Sequence, residues 1–166
     1  MSGWRLWSVW GLAFIGLVFW FLQPIRYGLL LVLLRLVGVH MPQWDSKVEP
    51  LYWLDVREFE EYQISHLVNA RWVGSSDFSL SRLQGIRKEA PIVVYCSVGI
   101  RSQRVGQKLL DAGYTQVWNL RGGIFKWLAD GHGVVDLGGQ PTENIHPYDS
   151  LWGIFAPSGH WVRQAH

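Results

Sequence analysis

The chain has 166 residues, a single cysteine and a formal net charge of +2, with 49% of its residues hydrophobic. That length allows one sizeable domain with extensions, and one cysteine excludes an internal disulfide, which fits a reducing compartment. All 13 acidic residues and 12 of the 15 Lys and Arg lie beyond residue 40, a balance of −1, so Arg5, Arg26 and Arg35 carry the positive excess. The charge is local to the N-terminus and gives no support to a nucleic-acid partner.

Between Arg5 and Arg26 no charged residue occurs, and Leu6–Leu22 is almost wholly apolar. A membrane span takes about 20 residues, with roughly 17–25 tolerated. Trp4, Trp7 and Trp20 stand near the ends of the run, where interfacial aromatic anchors sit. No polar face interrupts it, which argues against a buried core helix. It outruns the about 7–15 apolar residues of a signal peptide, and no small-residue cleavage site follows. The expectation is an uncleaved N-terminal transmembrane helix within residues 1–39, spanning at about 6–22. A second apolar segment, 28–39, is broken only by Arg35 and is too short to span alone. Continuation past a kink at Pro24, a helix lying in the interface and the return limb of a hairpin all fit it. Arg26, Arg35 and Lys47 follow the span and only Arg5 precedes it. The positive-inside rule then predicts a single-pass protein with a cytoplasmic globular part and membrane lipid as a partner.

Residues 40–50 are polar, contain proline and read as a linker. From 51 to 136 the pattern alternates: strand Leu51–Asp55, helix Glu58–Ser65, a short strand near Ala70–Val73 and helix Phe78–Lys88. Strand Ile92–Tyr95, helix Arg101–Ala112, strand Gln116–Asn119 and helix Ile124–Ala129 complete it. Such alternation implies an α/β domain, a parallel sheet flanked by helices. No internal repeat or low-complexity tract appears.

The cysteine closes the apolar run Pro91-Ile92-Val93-Val94-Tyr95, and a helical pattern starts at Arg101. A thiol between a strand's C-terminal end and a helix N-terminus lies where open α/β sheets bind ligands. Free backbone N–H groups and the helix dipole favour an anion there, and Arg101 and Arg104 add charge. Cys96 is thus a candidate thiolate nucleophile in an anion-binding cradle. The competing view, an inert buried cysteine, leaves Gly99 and the two arginines without a purpose.

The stretch 137–166 carries Tyr148, Trp152, Phe155 and Trp161. That much aromatic surface is expected to be covered, by the domain in preference to the membrane or a partner. His132, His146, His160 and His166 lack metal-ligand spacing, so no metal site is expected.

Three motifs in order carry a family resemblance. Leu51 to Tyr62 with His66 resembles the opening motif of rhodanese-like domains, and Cys96-Ser97-Val98-Gly99-Ile100-Arg101-Ser102 resembles their active-site loop. Ala112-Gly113-Tyr114 and Asn119 to Trp127 are similar to their closing pattern. The resemblance covers roughly residues 45–136 and implies a rhodanese-like fold. It implies a sulfurtransferase in which Cys96 takes sulfane sulfur from a donor as a persulfide and passes it to a thiol or cyanide-like acceptor. No cofactor is implied. By the same resemblance Cys96 and Arg101 are catalytic, and Ser97, Val98, Gly99, Ile100 and Ser102 form the substrate loop. Asp55 and Arg57 are implied to support the site by tying the first strand end to neighbouring loops, with His66 packed rather than acting as a base. Gly122 and Gly123 are expected to turn the chain into the last helix, with Trp127 filling the core beneath it.

The loop has six residues from Cys96 to Arg101, as in the family's sulfurtransferases, whereas phosphatase-like relatives have one more. A phosphatase or arsenate-reductase-like reading is disfavoured on that ground. Members specialised for thiosulfate often carry a basic residue where this chain has Ser97, Val98 and Ile100. The donor implied is thiosulfate or a persulfide, and this departure from the family pattern makes thiosulfate a poor one and favours a protein persulfide or another small sulfane-sulfur compound. A non-catalytic binding module at the membrane is the alternative; the intact cysteine loop argues against it.

Overall fold

The computed structural model describes residues 25, 27–33, 35–36, 41–44, 47, 49–148, 155–156 and 160–162. The span expected at 6–22 lies outside them, and among the described residues no helix is long and apolar enough to cross a membrane.

The central element is β4 (Ile92–Tyr95), whose four residues are all buried. Such a strand is covered on both faces of its sheet, which is why it reads as a continuous β-branched run. Its neighbours are β2 (Tyr52–Asp55) on one side and β5 (Val117–Leu120) on the other, with β3 (Arg71–Trp72) and β1 (Gln43–Trp44) at the edges. The five-stranded sheet is parallel throughout, in the order β1-β5-β4-β2-β3. Asp55 lies opposite Tyr95, and Val94 opposite Asn119.

Alternation along β4 builds two cores. Val93 and Tyr95 join Leu67, Ile124 and Phe125 on one face, while Ile92, Val94 and Cys96 join Leu54, Val105 and Leu109 on the other. Three helices follow the strands: α1 (Phe59–Ile64) after β2, α2 (Ile100–Asp111) after β4 and α3 (Gly123–Ala129) after β5. The connection from β2 leads to one sheet edge and that from β4 toward the other, so the crevice between their C-terminal ends is a topological switch point.

Several elements differ from the sequence reading. The helix expected over Phe78–Lys88 is a single 3-10 turn, Leu80–Leu83. Ser79 caps it through the Ser81 amide, and Gly85 at φ +87 ends the run before a further turn can form. Within the stretch read as a linker, β1 pairs with β5, and the Met41 amide bonds to the Gln103 side chain at 3.0 Å. Two residues are too few to show periodicity, so this strand exists only through its pairing partner. The core beneath Gly122 and Gly123 is filled by Ile124 and Phe125, not Trp127. Trp127 instead packs edge-on to Trp53 at 5.5 Å, with Trp44 completing an aromatic cluster.

Two segments outside residues 51–136 also join the fold. The chain is helical over 27–33, where Tyr27 and Leu30 enter the same core as Phe125. The Tyr27 hydroxyl lies 3.1 Å from the Phe125 carbonyl oxygen and 2.6 Å from that of Phe155. Leu29, Val32, Leu33 and Leu36 of this segment are exposed. C-terminal to the sheet, β6 (Val134–Val135) and β7 (Pro141–Thr142) form an antiparallel pair, and β8 (Asn144–Ile145) pairs in parallel with β9 (His160–Trp161). Ile145 and Ala156 are buried in the core shared with Tyr27.

Candidate active site

Cys96 follows β4 directly and is 1% exposed. Its sulfur accepts the Gly99 N–H at 3.1 Å. Gly99 stands at φ 114 as the N-cap of α2, a conformation that favours glycine and turns the chain back under the sulfur. Amides in the first turn of a helix have no partner within it, so the start of α2 adds partial positive charge beside the thiol.

The loop is held from two sides. The Ile124 and Phe125 amides, at the start of α3, donate to the carbonyls of Cys96 and Ser97 at 2.9 and 3.2 Å. A Cβ on Gly123 would collide with those same carbonyls, so glycine is required for the approach. From β5, the Asn119 side-chain amide donates to the Gly99 carbonyl at 2.9 Å and its oxygen accepts the Ser102 hydroxyl at 2.8 Å. That hydroxyl also lies 3.5 Å from the Cys96 sulfur. Its one proton serves a single acceptor at a time, and Asn119 is the nearer.

Arg101 points along the loop and is fixed by Glu61 of α1 in a two-pronged ion pair, with contacts of 2.5 and 2.8 Å. Its Nη2 also donates to the Ser97 hydroxyl at 2.8 Å, which itself donates to Glu61 at 2.9 Å. Burial pushes the Glu61 carboxyl up, yet Arg101, with help from Arg57 and the Glu58 amide, holds it below the usual carboxylate range. Burial likewise draws the Arg101 guanidinium down, and Glu61 and Cys96 outweigh it and leave it raised. Both groups are therefore charged at neutral pH.

Above the sulfur lies a cavity of about 230 Å³ lined by Cys96, Ser97, Val98, Ile100, Arg101, Arg104 and Tyr148. The buried Gly99 and Ser102 sit behind this wall and act on the sulfur from below. Asp55 and Arg57 do not reach the cavity. Both are fully buried and joined at 2.7 Å, and Arg57 also donates to the Ser65 carbonyl, tying the end of β2 to that of α1. His66 stacks on Tyr62 at 3.9 Å between ring centres, and burial holds it below its ordinary value. Among the described residues no group of three or more His, Cys, Asp or Glu could hold a metal ion.

A strand ending on a thiol, a six-residue loop and an arginine at its far end now stand in one place, and residues 40–130 match the rhodanese-like domain family. The chain belongs to that family. It is 35% identical over 95 residues to the thiosulfate sulfurtransferase GlpE of Coxiella burnetii, across 54% of this chain and 84% of that protein. An uncharacterized protein of Bacillus subtilis, YqhL, is 38% identical over 74 residues, 45% of this chain and 58% of its own length. The rhodanese-like domain of the Alr3790 protein from Anabaena sp. superposes with a TM-score of 0.52 and 26% identity, over 59% of this chain and 81% of that one.

Within this rhodanese-like site, sequence reasoning missed Glu61, Asn119 and Tyr148. Glu61 has a local explanation, the capping box it forms with Glu58 at the start of α1, which hides its second role. An asparagine near the end of an otherwise apolar strand was a signal for Asn119, since a buried amide needs partners. Tyr148 lies beyond the matched residues, and nothing local marks it.

Proposed function

We propose that the protein is a sulfurtransferase that carries sulfane sulfur on Cys96. The observation that carries this reading is the placement of the Cys96 sulfur under the Gly99 amide, at the floor of a small cavity beside a fixed Arg101. The Cys96 thiolate attacks the outer sulfur of the donor. A sulfur–sulfur bond forms to Cys96 while the donor's own sulfur–sulfur bond breaks, and its electron pair leaves with the remainder of the donor. Thiosulfate leaves sulfite; a persulfide RSSH leaves the thiolate RS⁻ and yields Cys96–SSH. A nucleophilic acceptor then takes the outer sulfur and restores the Cys96 thiolate, so one transfer is split into two displacements. The Gly99 amide and the start of α2 offset negative charge on the sulfur through both steps.

Charge in the cavity bears on the donor. Arg101 is already matched by Glu61, and among the described residues Arg104 is the other cation lining the cavity and makes no ion pair with a carboxylate. A dianion such as thiosulfate is poorly served there, which supports a donor of lower charge. The reading includes a membrane tether: the apolar run Leu6–Leu22 and the exposed Leu29, Val32 and Leu36 support it. The charge bias around the run favours a cytoplasmic domain.

The test is intact mass of the full chain after incubation with thiosulfate or a polysulfide, beside Cys96→Ser. The expected result is one added sulfur on the wild type alone, removed by cyanide. A folded protein that gains no sulfur from any donor would overturn the reading and leave a binding module.

A further inference from the structure

The cavity over Cys96 is closed on one side by a residue from outside the family-matched domain. Tyr148 lies in the C-terminal stretch, and the Arg101 guanidinium sits 4.3 Å from the centre of its ring. That is well within cation–π range. The ring is exposed on its outer side, and it is the backbone leading to it that is anchored. Ile145, three residues earlier, is buried in the core, and β8 is paired with β9. The Tyr148 amide donates to the His146 Nδ1 at 3.0 Å, closing a tight turn around Pro147 with Tyr148 at φ 66. A tyrosine in the left-handed region is uncommon and persists where its neighbours determine it.

With the edge of Arg101 taken by Glu61 and Ser97, the ring covers one of its faces as well. What remains for a donor is a small cavity of mixed lining, in which Val98, Ile100 and Tyr148 supply carbon surface and Arg104 supplies a charge. At about 230 Å³ it lies below the roughly 300–1,000 Å³ of drug-sized pockets, so the part of the donor that enters it is small.

We propose that Tyr148 is a specificity-determining residue of the Cys96 site, which favours a monoanionic sulfur donor bearing an apolar group, a thiosulfonate R–SO₂–S⁻, over inorganic thiosulfate. This rests on the sulfurtransferase reading. In the step implied, the Cys96 thiolate bonds to the outer sulfur, the bond between that sulfur and the sulfonyl group breaks, and the electron pair leaves with the sulfinate R–SO₂⁻. Two monoanions react and two result, Cys96–S–S⁻ and the sulfinate. The apolar group packs on Tyr148, Val98 and Ile100, and the single charge suits Arg104.

The test compares kcat/KM for benzenethiosulfonate and for thiosulfate, with cyanide as acceptor, in the full chain and its Tyr148→Ala and Tyr148→Phe variants. The wild type is expected to prefer benzenethiosulfonate. Tyr148→Ala is expected to reduce that preference about tenfold, through KM, as loss of an aromatic wall and cation–π partner implies. Tyr148→Phe should restore the preference, since the ring and not the hydroxyl carries it. An unchanged ratio in Tyr148→Ala, or an equal fall for both donors, would overturn the assignment while leaving the sulfurtransferase reading intact. A wild type that forms no persulfide with either donor or with a polysulfide would overturn both.

Discussion

Glu61 decides what Arg101 can do. The carboxylate is 3% exposed and the Arg101 side chain 15%, so the pair sits where removing one partner leaves the other charge poorly solvated. Replacing Glu61 by Gln keeps the shape and removes the charge. We expect Glu61→Gln to lower stability by about 3–5 kcal/mol at neutral pH and to slow persulfide formation, because Arg101 is no longer held beside the loop. The pH dependence has a definite sign. Glu61 has a folded value below the usual range, so its contribution is fully present above its unfolded value of about 4.3 and is lost as pH falls through the lower folded one. Urea unfolding of both proteins at about pH 7 and about pH 3 should therefore show the gap closing in acid. A gap that stays constant would mean that shape, not charge, is what Glu61 supplies. None of this was visible in the local sequence. The residues from Cys96 to Ser102 are contiguous, so a strand pattern, a glycine and a helix start placed them together. Glu61 meets Arg101 only because β2 and β4 are sheet neighbours whose following segments share one crevice, and strand order is not written in either segment alone.

At the scale of elements, the long patterned segments were readable, and of the short ones β3 was and two others were not. The buried run of β4 and the helical spacing in α2 announced themselves because core contact repeats along each. The two-residue β1 and the 3-10 turn at Leu80–Leu83 offered no repeat to read. The approach of α3 to the cysteine loop falls between these cases, for the glycine pair signalled a tight turn but not what it turned against. Gly123 has φ +62 and would place a Cβ against the Cys96 and Ser97 carbonyls. Gly131 has φ +85 with nothing within 4 Å of the same position. Both alanine substitutions incur the left-handed backbone penalty of about 1–2 kcal/mol, and only Gly123→Ala must also shift the loop. We expect Gly123→Ala to cost more than Gly131→Ala in denaturant melts and, alone of the two, to move the Gly99 amide resonance and lower persulfide yield. Equal costs with an undisturbed Gly99 amide would show that the loop does not depend on the close approach.

Across the whole molecule, the proposed reading divides the N-terminal region into two parts with different physical tasks. Leu30 is fully buried and Tyr27 bonds toward both α3 and the C-terminal stretch, so one face of residues 27–33 belongs to the domain's core despite reading as membrane-adjacent. The uniformly apolar composition of this region concealed the division, since a leucine facing the core and one facing lipid look alike in sequence. Leu36, 79% exposed, marks the other face. The proposed span at 6–22 would draw its stability from hydrocarbon. These assignments predict a double dissociation. Leu30→Ala should lower unfolding free energy by about 2–5 kcal/mol and leave the protein in the membrane fraction. Ile15→Arg with Val18→Arg should do the reverse, because each arginine near the middle of a span costs about 2.5–3.5 kcal/mol of insertion. Carbonate extraction and thermal melts of the full chain read the two effects separately. A doubly charged variant that stays with the membrane would remove the span from 6–22, and a Leu30→Ala protein as stable as the wild type would remove the helical segment from the core.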